Sequence, residues 1–306
     1  MCGLSYPWVQ MARPVLNIGL VQQASLHDKS KNVAHACAGI RDAAGRGASI
    51  VILPELFATD YFCQTEDPAF FDWAETLQGP TVTTISELAR ELQVVIVTPL
   101  FERRARGLYH NSLVVIGADG LPLGIYRKMH IPEDPQFCEK FYFTPGDQGF
   151  SPIQTPAACL GTLICWDQWF PEAARSMALA GAELLVYPTA IGWMPAEKEL
   201  LGGMQLDAWR TVQRAHAIAN GTFVVAVNRV GHEGSAAGAL EFWGHSFVCD
   251  PMGRIIAEAG DQEEVLVVEC NLQLIDEQRH WWPFFRDRRI DAYDGLLERW
   301  IDAKDR

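Results

Sequence analysis

Three side chains in the 306-residue sequence carry the elements of acyl-transfer chemistry: the thiol of Cys165, the carboxylate of Glu55 and the ammonium of Lys128. Hydrolysing an amide or ureido bond without a metal takes a nucleophile, a proton carrier and a group that stabilises the charge of the tetrahedral intermediate. Cys165 would attack the carbonyl carbon, and Glu55 would take the thiol proton and return one to the leaving nitrogen. Lys128, with the backbone N–H of Trp166, would stabilise the oxyanion. A carboxylate serves as base for a thiol only if its surroundings raise its pKa, and burial beside a lysine pulls in both directions. The protonation state is therefore not written in the sequence.

Each of the three sits where an apolar run ends or alternates. Gly161-Thr162-Leu163-Ile164-Cys165 reads as a strand delivering the cysteine to a sharp turn, with a helix opening near Pro171-Glu172. Backbone N–H groups at a helix entrance favour a thiolate and an oxyanion. Ser49-Ile50-Val51-Ile52-Leu53-Pro54-Glu55 reads as a buried strand with the carboxylate at its tip, and in 124–130 alternation puts Tyr126, Lys128 and His130 on one face. Taken singly, each has an ordinary reading: a packing cysteine, a solvated carboxylate, an edge lysine.

The chain around them alternates strand and helix. Strands are expected at 15–22, 49–54 and 94–97, with helices over 31–46 and from Pro80 to about Leu92. A hairpin of 111–116 and 124–130 turns at Ala118-Asp119-Gly120. After the cysteine come helix 171–180, strand 184–189, helix 206–219, strand 222–229 and closing strands near 245–249, 254–258 and 264–270. The pattern suggests two related halves. Cys159 and Cys165 are expected on one strand, on the same face but too far apart to bridge.

A strand-end glutamate, a lysine and a strand-end cysteine in that order resemble the carbon-nitrogen hydrolase (nitrilase) superfamily over nearly the whole chain. Leu53-Pro54-Glu55-Leu56-Phe57, Tyr126-Arg127-Lys128-Met129-His130 and Leu163-Ile164-Cys165-Trp166-Asp167 match its three motifs. Tyr61-Phe62-Cys63-Gln64, the run Glu139 to Asp147, the run Cys165 to Arg175 and the tail Trp282 to Tyr293 resemble its N-carbamoylputrescine amidase branch. The resemblance implies an α/β fold: a four-layer αββα sandwich of two mixed, six-stranded sheets with outer helices. It implies one domain over 1–306, in which 277–306 form an arm reaching a second subunit and 1–12 read as a disordered leader or start-site extension. It also implies Glu139 as a second glutamate, orienting Lys128 and positioning water.

A carbamoylputrescine-like substrate has a neutral ureido head and a distant ammonium, so its pocket should offer an acid or aromatic faces. Tyr61, Trp166, Glu172 and Trp193 are available, with Trp169 beside them, and His130 and Asp167 are further pocket candidates. Loops 191–199 and 232–238 are where branch members differ. The expected reaction is hydrolysis of a linear N-carbamoyl amine to amine, carbon dioxide and ammonia through a covalent thioester-type intermediate. One alternative is a carbamoyl-amino-acid or ω-amide hydrolase, for which Arg175 is a candidate carboxylate binder. Others are an idle binding or scaffold protein of the same fold and a thiol redox sensor, the last lacking a nearby resolving cysteine.

Composition narrows the partners. The formal charge of −13 and the absence of a Lys/Arg block argue against nucleic acid. The cluster Arg286-Asp287-Arg288-Arg289, with its flanking aromatics, fits a protein interface or internal ion pairs. No apolar run approaches the ~20 residues of a membrane span, and the first residues lack a signal-peptide pattern. Eight scattered cysteines without Cys-x-x-Cys read as free thiols, and the eight histidines show no paired metal-ligand spacing. A cytoplasmic enzyme without metal or cofactor is expected, acting on a small molecule. Because His280-Trp281-Trp282-Pro283-Phe284-Phe285 is too aromatic for an exposed tail, a homodimer or larger assembly is expected.

Overall fold

A computed structural model describes residues 13–235 and 238–301. The leader expected at 1–12, the end of the arm at 302–306, and Ala236 and Ala237 of the glycine-rich stretch lie outside the described residues.

The first half runs β1 (Val15–Gln22), α1 (Lys29–Gly45), β2 (Ile50–Ile52), α2 (Pro80–Leu92), β3 (Val95–Ala105), β4 (Leu108–Ile116) and β5 (Pro122–Arg127). Helix α1 opens where the Asp28 side chain accepts the Lys31 N–H at 2.9 Å, and α2 opens on Pro80, whose missing N–H costs nothing in a first turn. The single turn α3 (Glu139–Tyr142) precedes the second half: β6 (Ile153–Gln154), β7 (Cys159–Thr162), α4 (Pro171–Leu179), β8 (Leu184–Pro188), β9 (Gly192–Trp193), α5 (Pro195–Asn220) and β10 (Phe223–Val227). Then follow β11 (Val230–Ser235), β12 (Gly238–Trp243), β13 (Phe247–Cys249), β14 (Ile255–Glu258), β15 (Glu264–Asn271) and α6 (Gln273–Trp281).

The strands form two six-stranded sheets, β15-β1-β2-β3-β4-β5 and β14-β13-β10-β8-β7-β6. Starting from β15, the first sheet pairs antiparallel, parallel, parallel, antiparallel, antiparallel. Starting from β6, the second gives the same succession. Even the close helix contacts repeat. A Cβ on Gly19 would come within 2.8 Å of Ala43 in α1, and one on Gly161 within 2.9 Å of Ala182, just past α4. The halves suggested by the sequence thus share one topology.

Alternation in the first sheet assigns its faces. Ile18, Leu20, Ile50, Ile52, Val95, Val97, Leu113 and Val115 point into the core shared with Leu160, Leu184, Val186 and Val225 of the second sheet. Val21, Val51, Ile96, Val114 and Ile116 point the other way, onto Ala36, Ile40, Ile85 and Ala89 of α1 and α2. Helices α4 and α5 close the far side through Ala173, Met177, Trp209 and Ala217. The architecture is a four-layer αββα sandwich.

Several expected boundaries move. Strand 49–54 is paired only over Ile50–Ile52, and strand 124–130 stops at Arg127, so Lys128 lies just past it. Cys159 is in β7 but Cys165 is beyond its end, so they do not share a strand. Helix 206–219 is the second half of the 26-residue α5, whose N-terminal turns lie in the supposed loop 191–199. The supposed loop 232–238 contributes to β11 and β12, which with β9 form a small third sheet.

Candidate active site

The second sheet delivers Cys165, the candidate nucleophile. The Leu163 N–H donates to the Val186 carbonyl at 2.9 Å, extending the pairing one residue past β7. The chain then breaks: Cys165 has φ +42 and opens a 3-10 turn over Cys165–Trp169. A non-glycine residue in that region costs roughly 1–3 kcal/mol and persists only where its surroundings impose it. Asp167 imposes it here. One oxygen accepts the Ile164 N–H at 2.9 Å and the Tyr126 hydroxyl at 2.8 Å. The other accepts the His130 N–H at 3.0 Å and lies 2.7 Å from His130 Nδ1. Because the 3-10 turn intervenes, Cys165 does not sit at the entrance of α4, contrary to the sequence reading.

The first sheet delivers the charged groups. Glu55, past the tip of β2, is fully buried, and its Oε1 accepts Lys128 Nζ at 2.8 Å and Asn111 Nδ2 at 2.7 Å. Its Oε2 is buried without a partner among the described residues. Lys128 Nζ also donates to Glu139 Oε2 at 2.6 Å, and Glu139 Oε1 accepts the Tyr61 hydroxyl at 2.7 Å. The Lys128 backbone is clamped on both sides, its N–H to the Asn111 carbonyl at 2.8 Å and its carbonyl from the Gly146 N–H at 2.8 Å. Only glycine fits at 146, since a Cβ there would lie 2.2 Å from the Arg127 carbonyl oxygen. Asn111, which sequence reasoning missed, holds both Glu55 and Lys128; its one signal was a polar amide inside a strand.

Loop 56–61, leaving Glu55, is also fixed. The buried Arg229 guanidinium donates to the Thr59 carbonyl at 3.0 Å and pairs with Glu233, whose Oε2 accepts the Tyr61 N–H at 2.6 Å. The Arg229–Glu233 pair at the β11–β12 hairpin therefore braces the loop that leaves Glu55.

Burial sets the protonation. It pushes the Cys165 thiol well above its ordinary value, Glu55 adds to the rise, and Lys128 opposes it, so Cys165 rests as a thiol. Burial alone would pull Lys128 down, but Glu139 and Glu55 hold it well above the ordinary lysine value. Burial raises Glu139 against the pull of Lys128. A protonated thiol, a fixed ammonium and a carboxylate with one oxygen uncommitted are the parts that base-assisted acyl transfer needs.

Cys165 and Glu139 open onto a cavity of about 240 Å³ whose walls include Trp166, Trp169, Met194 and Trp243. Of the substrate-contact candidates, Trp166 lines it. Tyr61 lies behind Glu139 as its hydrogen-bond donor, and His130, stacked 3.7 Å from Phe170, braces Asp167. Trp193 turns into the core, its Nε1 donating to the Gly202 carbonyl at 3.2 Å. Glu172 is not brought to this cavity, because α4 points it to a separate one with Arg175, Arg288 and Tyr293. Carboxylates of Asp134 and Glu197 reach the cavity instead. Glu197 escaped notice because its helix was not foreseen.

Comparison with known proteins identifies the family. The carbon-nitrogen hydrolase family model matches residues 17–280. An N-carbamoylputrescine amidase from Solanum tuberosum is 46% identical over 289 residues, covering 92% of this chain and 95% of that protein. A citrullinase from Francisella tularensis is 39% identical, covering 93% of this chain and 99% of that protein. A crystal structure of a carbon-nitrogen hydrolase from Helicobacter pylori superimposes with a TM-score of 0.92 at 47% identity, covering 94% of this chain and 100% of that one. With the fold, the three motifs and the matched length in agreement, the chain belongs to the carbon-nitrogen hydrolase family of the nitrilase superfamily and is a hydrolase of carbon–nitrogen bonds.

Proposed function

We propose that the protein is a cysteine-dependent hydrolase of a linear N-carbamoyl amine, releasing amine, carbon dioxide and ammonia. The observation that carries this reading is the split role of Glu55: Oε1 is committed to Lys128 and Asn111, while Oε2 is buried and unpartnered. A buried acceptor without a donor is costly unless a proton is to arrive there. Glu55 takes the Cys165 proton as sulfur adds to the ureido carbon, and the oxyanion is held by Lys128 and the Trp166 N–H. The same proton passes to a nitrogen, which leaves, and the enzyme keeps a thioester-type carbamoyl group. Glu55 then deprotonates water for the second addition and returns that proton to the Cys165 sulfur as the C–S bond breaks, with Glu139 holding Lys128 and the water in place. The carbamic acid released decomposes to carbon dioxide and the nitrogen base it still carries, so either order of nitrogen departure gives amine, carbon dioxide and ammonia.

The cavity supports an amine-ended over a carboxylate-ended substrate. Its walls include Asp134, Glu139 and Glu197 and, among the described residues, neither Lys nor Arg. Arg175, the candidate carboxylate binder, lies over the Phe285 ring at 5.1 Å, in the other cavity. The relatives named N-carbamoylputrescine amidase favour the same choice, and a diamine product fits polyamine biosynthesis. The test is ammonia release from carbamoylputrescine, carbamoyl-β-alanine, an ω-amide and a nitrile. Carbamoylputrescine should be preferred, and Cys165→Ala and Lys128→Ala should abolish turnover while retaining the fold. Turnover near the parent rate by Cys165→Ala would sink the mechanism.

We also propose a homo-oligomer joined through the C-terminal arm. Phe285 folds back against Arg175 and Arg279, yet Trp281 is 78% exposed and Leu297 90% exposed on this chain. Light scattering should give at least the dimer mass, and a monomer at working concentration would reject the arrangement. No helix among the described residues is long and apolar enough to cross a membrane, and the proposed site of action is the cytoplasm.

A further inference from the structure

The same cavity holds a second arrangement of groups. Glu197 lies in the first turn of α5. Gln205 Nε2, two turns on along the same face, donates to Glu197 Oε1 at 3.2 Å, which fixes the amide so that Oε1 is its free end. That Oε1 is buried and has no partner among the described residues. Asp134 adds a second carboxylate from the exposed rim. The indole Nε1–H groups of Trp169 and Trp243 are also buried and unpartnered, and Trp243 is only 2% exposed. With the ureido oxygen held by Lys128 and the Trp166 N–H, the carboxylates and the Gln205 oxygen remain for donors at the other end of the same ligand.

We propose that Glu197, held by Gln205 and seconded by Asp134, is the subsite that reads a primary ammonium at the far end of a linear ureide. The inference rests on the ureide reading above. An ammonium has three N–H donors and no acceptor, and the wall offers carboxylate oxygens and one orphaned amide oxygen. A carboxylate-ended ligand would meet repulsion and leave the Gln205 oxygen unsatisfied. Glu197 is thus the specificity determinant and Gln205 its positioning residue.

The experiment compares N-(4-aminobutyl)urea with N-butylurea, the same ureide without the charge. The parent enzyme should favour the charged substrate, and Glu197→Gln should cut the ratio of the two kcat/KM values at least about tenfold, mainly through KM. Gln205→Leu should cut it less, by loosening Glu197. An unchanged ratio in Glu197→Gln, or equal losses for both substrates, would overturn the subsite. The chemistry is tested separately, since release of ammonia from neither ureide by the parent enzyme would defeat the ureide reading. Calorimetric titration of 1,4-diaminobutane into Cys165→Ala still reads the wall in that event. Binding weakened about tenfold or more by adding Glu197→Gln supports the subsite, and equal binding refutes it.

Discussion

Asn111→Ala separates catalysis from binding most cleanly. The amide donates to Glu55 Oε1 at 2.7 Å inside a fully buried site and is not among the residues lining the cavity. A hydrogen bond to a charged group is worth about 1.5–3 kcal/mol, which corresponds to roughly ten- to 150-fold in rate if it holds the base on its proton-transfer path. The Lys128 N–H bonds to the Asn111 carbonyl and not to its side chain, so the variant keeps the lysine clamp and the β4–β5 pairing. We expect kcat to fall within that range, KM to change by less than about threefold, and the far-ultraviolet circular dichroism to match the parent. Single-turnover rates of carbamoyl-enzyme formation, with enzyme in excess, should show the same loss as kcat. Asn111→Asp, which sets a second carboxylate against Glu55, should be worse than alanine despite its closer shape. A kcat within twofold of the parent, or a defect confined to KM, would refute the claim that Asn111 fixes the base.

Two further outcomes follow from the same geometry. Because the Cys165 pKa is raised, its proton is retained at pH values where an ordinary thiol has begun to ionise. The thiolate absorbance difference between parent and Cys165→Ser should therefore stay flat through about pH 9, and a step near neutral pH would contradict the burial argument. Gly146→Ala must move either the 146 backbone or the Arg127 carbonyl, which the new Cβ would approach to 2.2 Å. Displacing the clamp on Lys128 should lower kcat and cost on the order of 1–3 kcal/mol of stability, and an unchanged unfolding midpoint together with parent kcat would dismiss the clamp.

How much of this was legible depended on whether chemistry and local pattern coincided. Glu55, Lys128 and Cys165 could be singled out only together, by the order and motifs in which they occur, because each taken alone has an ordinary reading and the strand expected to carry Lys128 stops at Arg127. The start of α4 at Pro171 and the close of α1 at Gly45 followed from local rules. What failed was non-local. Tyr61 looked like a ligand contact, but its hydroxyl is spent on Glu139, 78 residues away. The early turns of α5 were hidden by Gly202-Gly203 and the exposed Leu200 and Met204, which break the expected apolar face, and with them went Glu197 and Gln205. The β11–β12 hairpin was masked by its glycines, although the clamp it forms from Arg229 and Glu233 is buried.

The matched pairing of the two sheets has a mechanical corollary. Glu55 and Lys128 ride on one stiff plate and Cys165 on the other, and the proposed chemistry takes place across the joint. The separation of base from nucleophile is then a question of how the plates slide past each other. That is governed by interlocked side chains such as Ile18, Ile50, Val97, Leu160 and Val186, none of which touches a reacting atom. The layer between the sheets acts as an alignment jig as well as a hydrophobic core, so tolerance for altered shape there should be narrower than on the outer, helix-facing sides of the same strands.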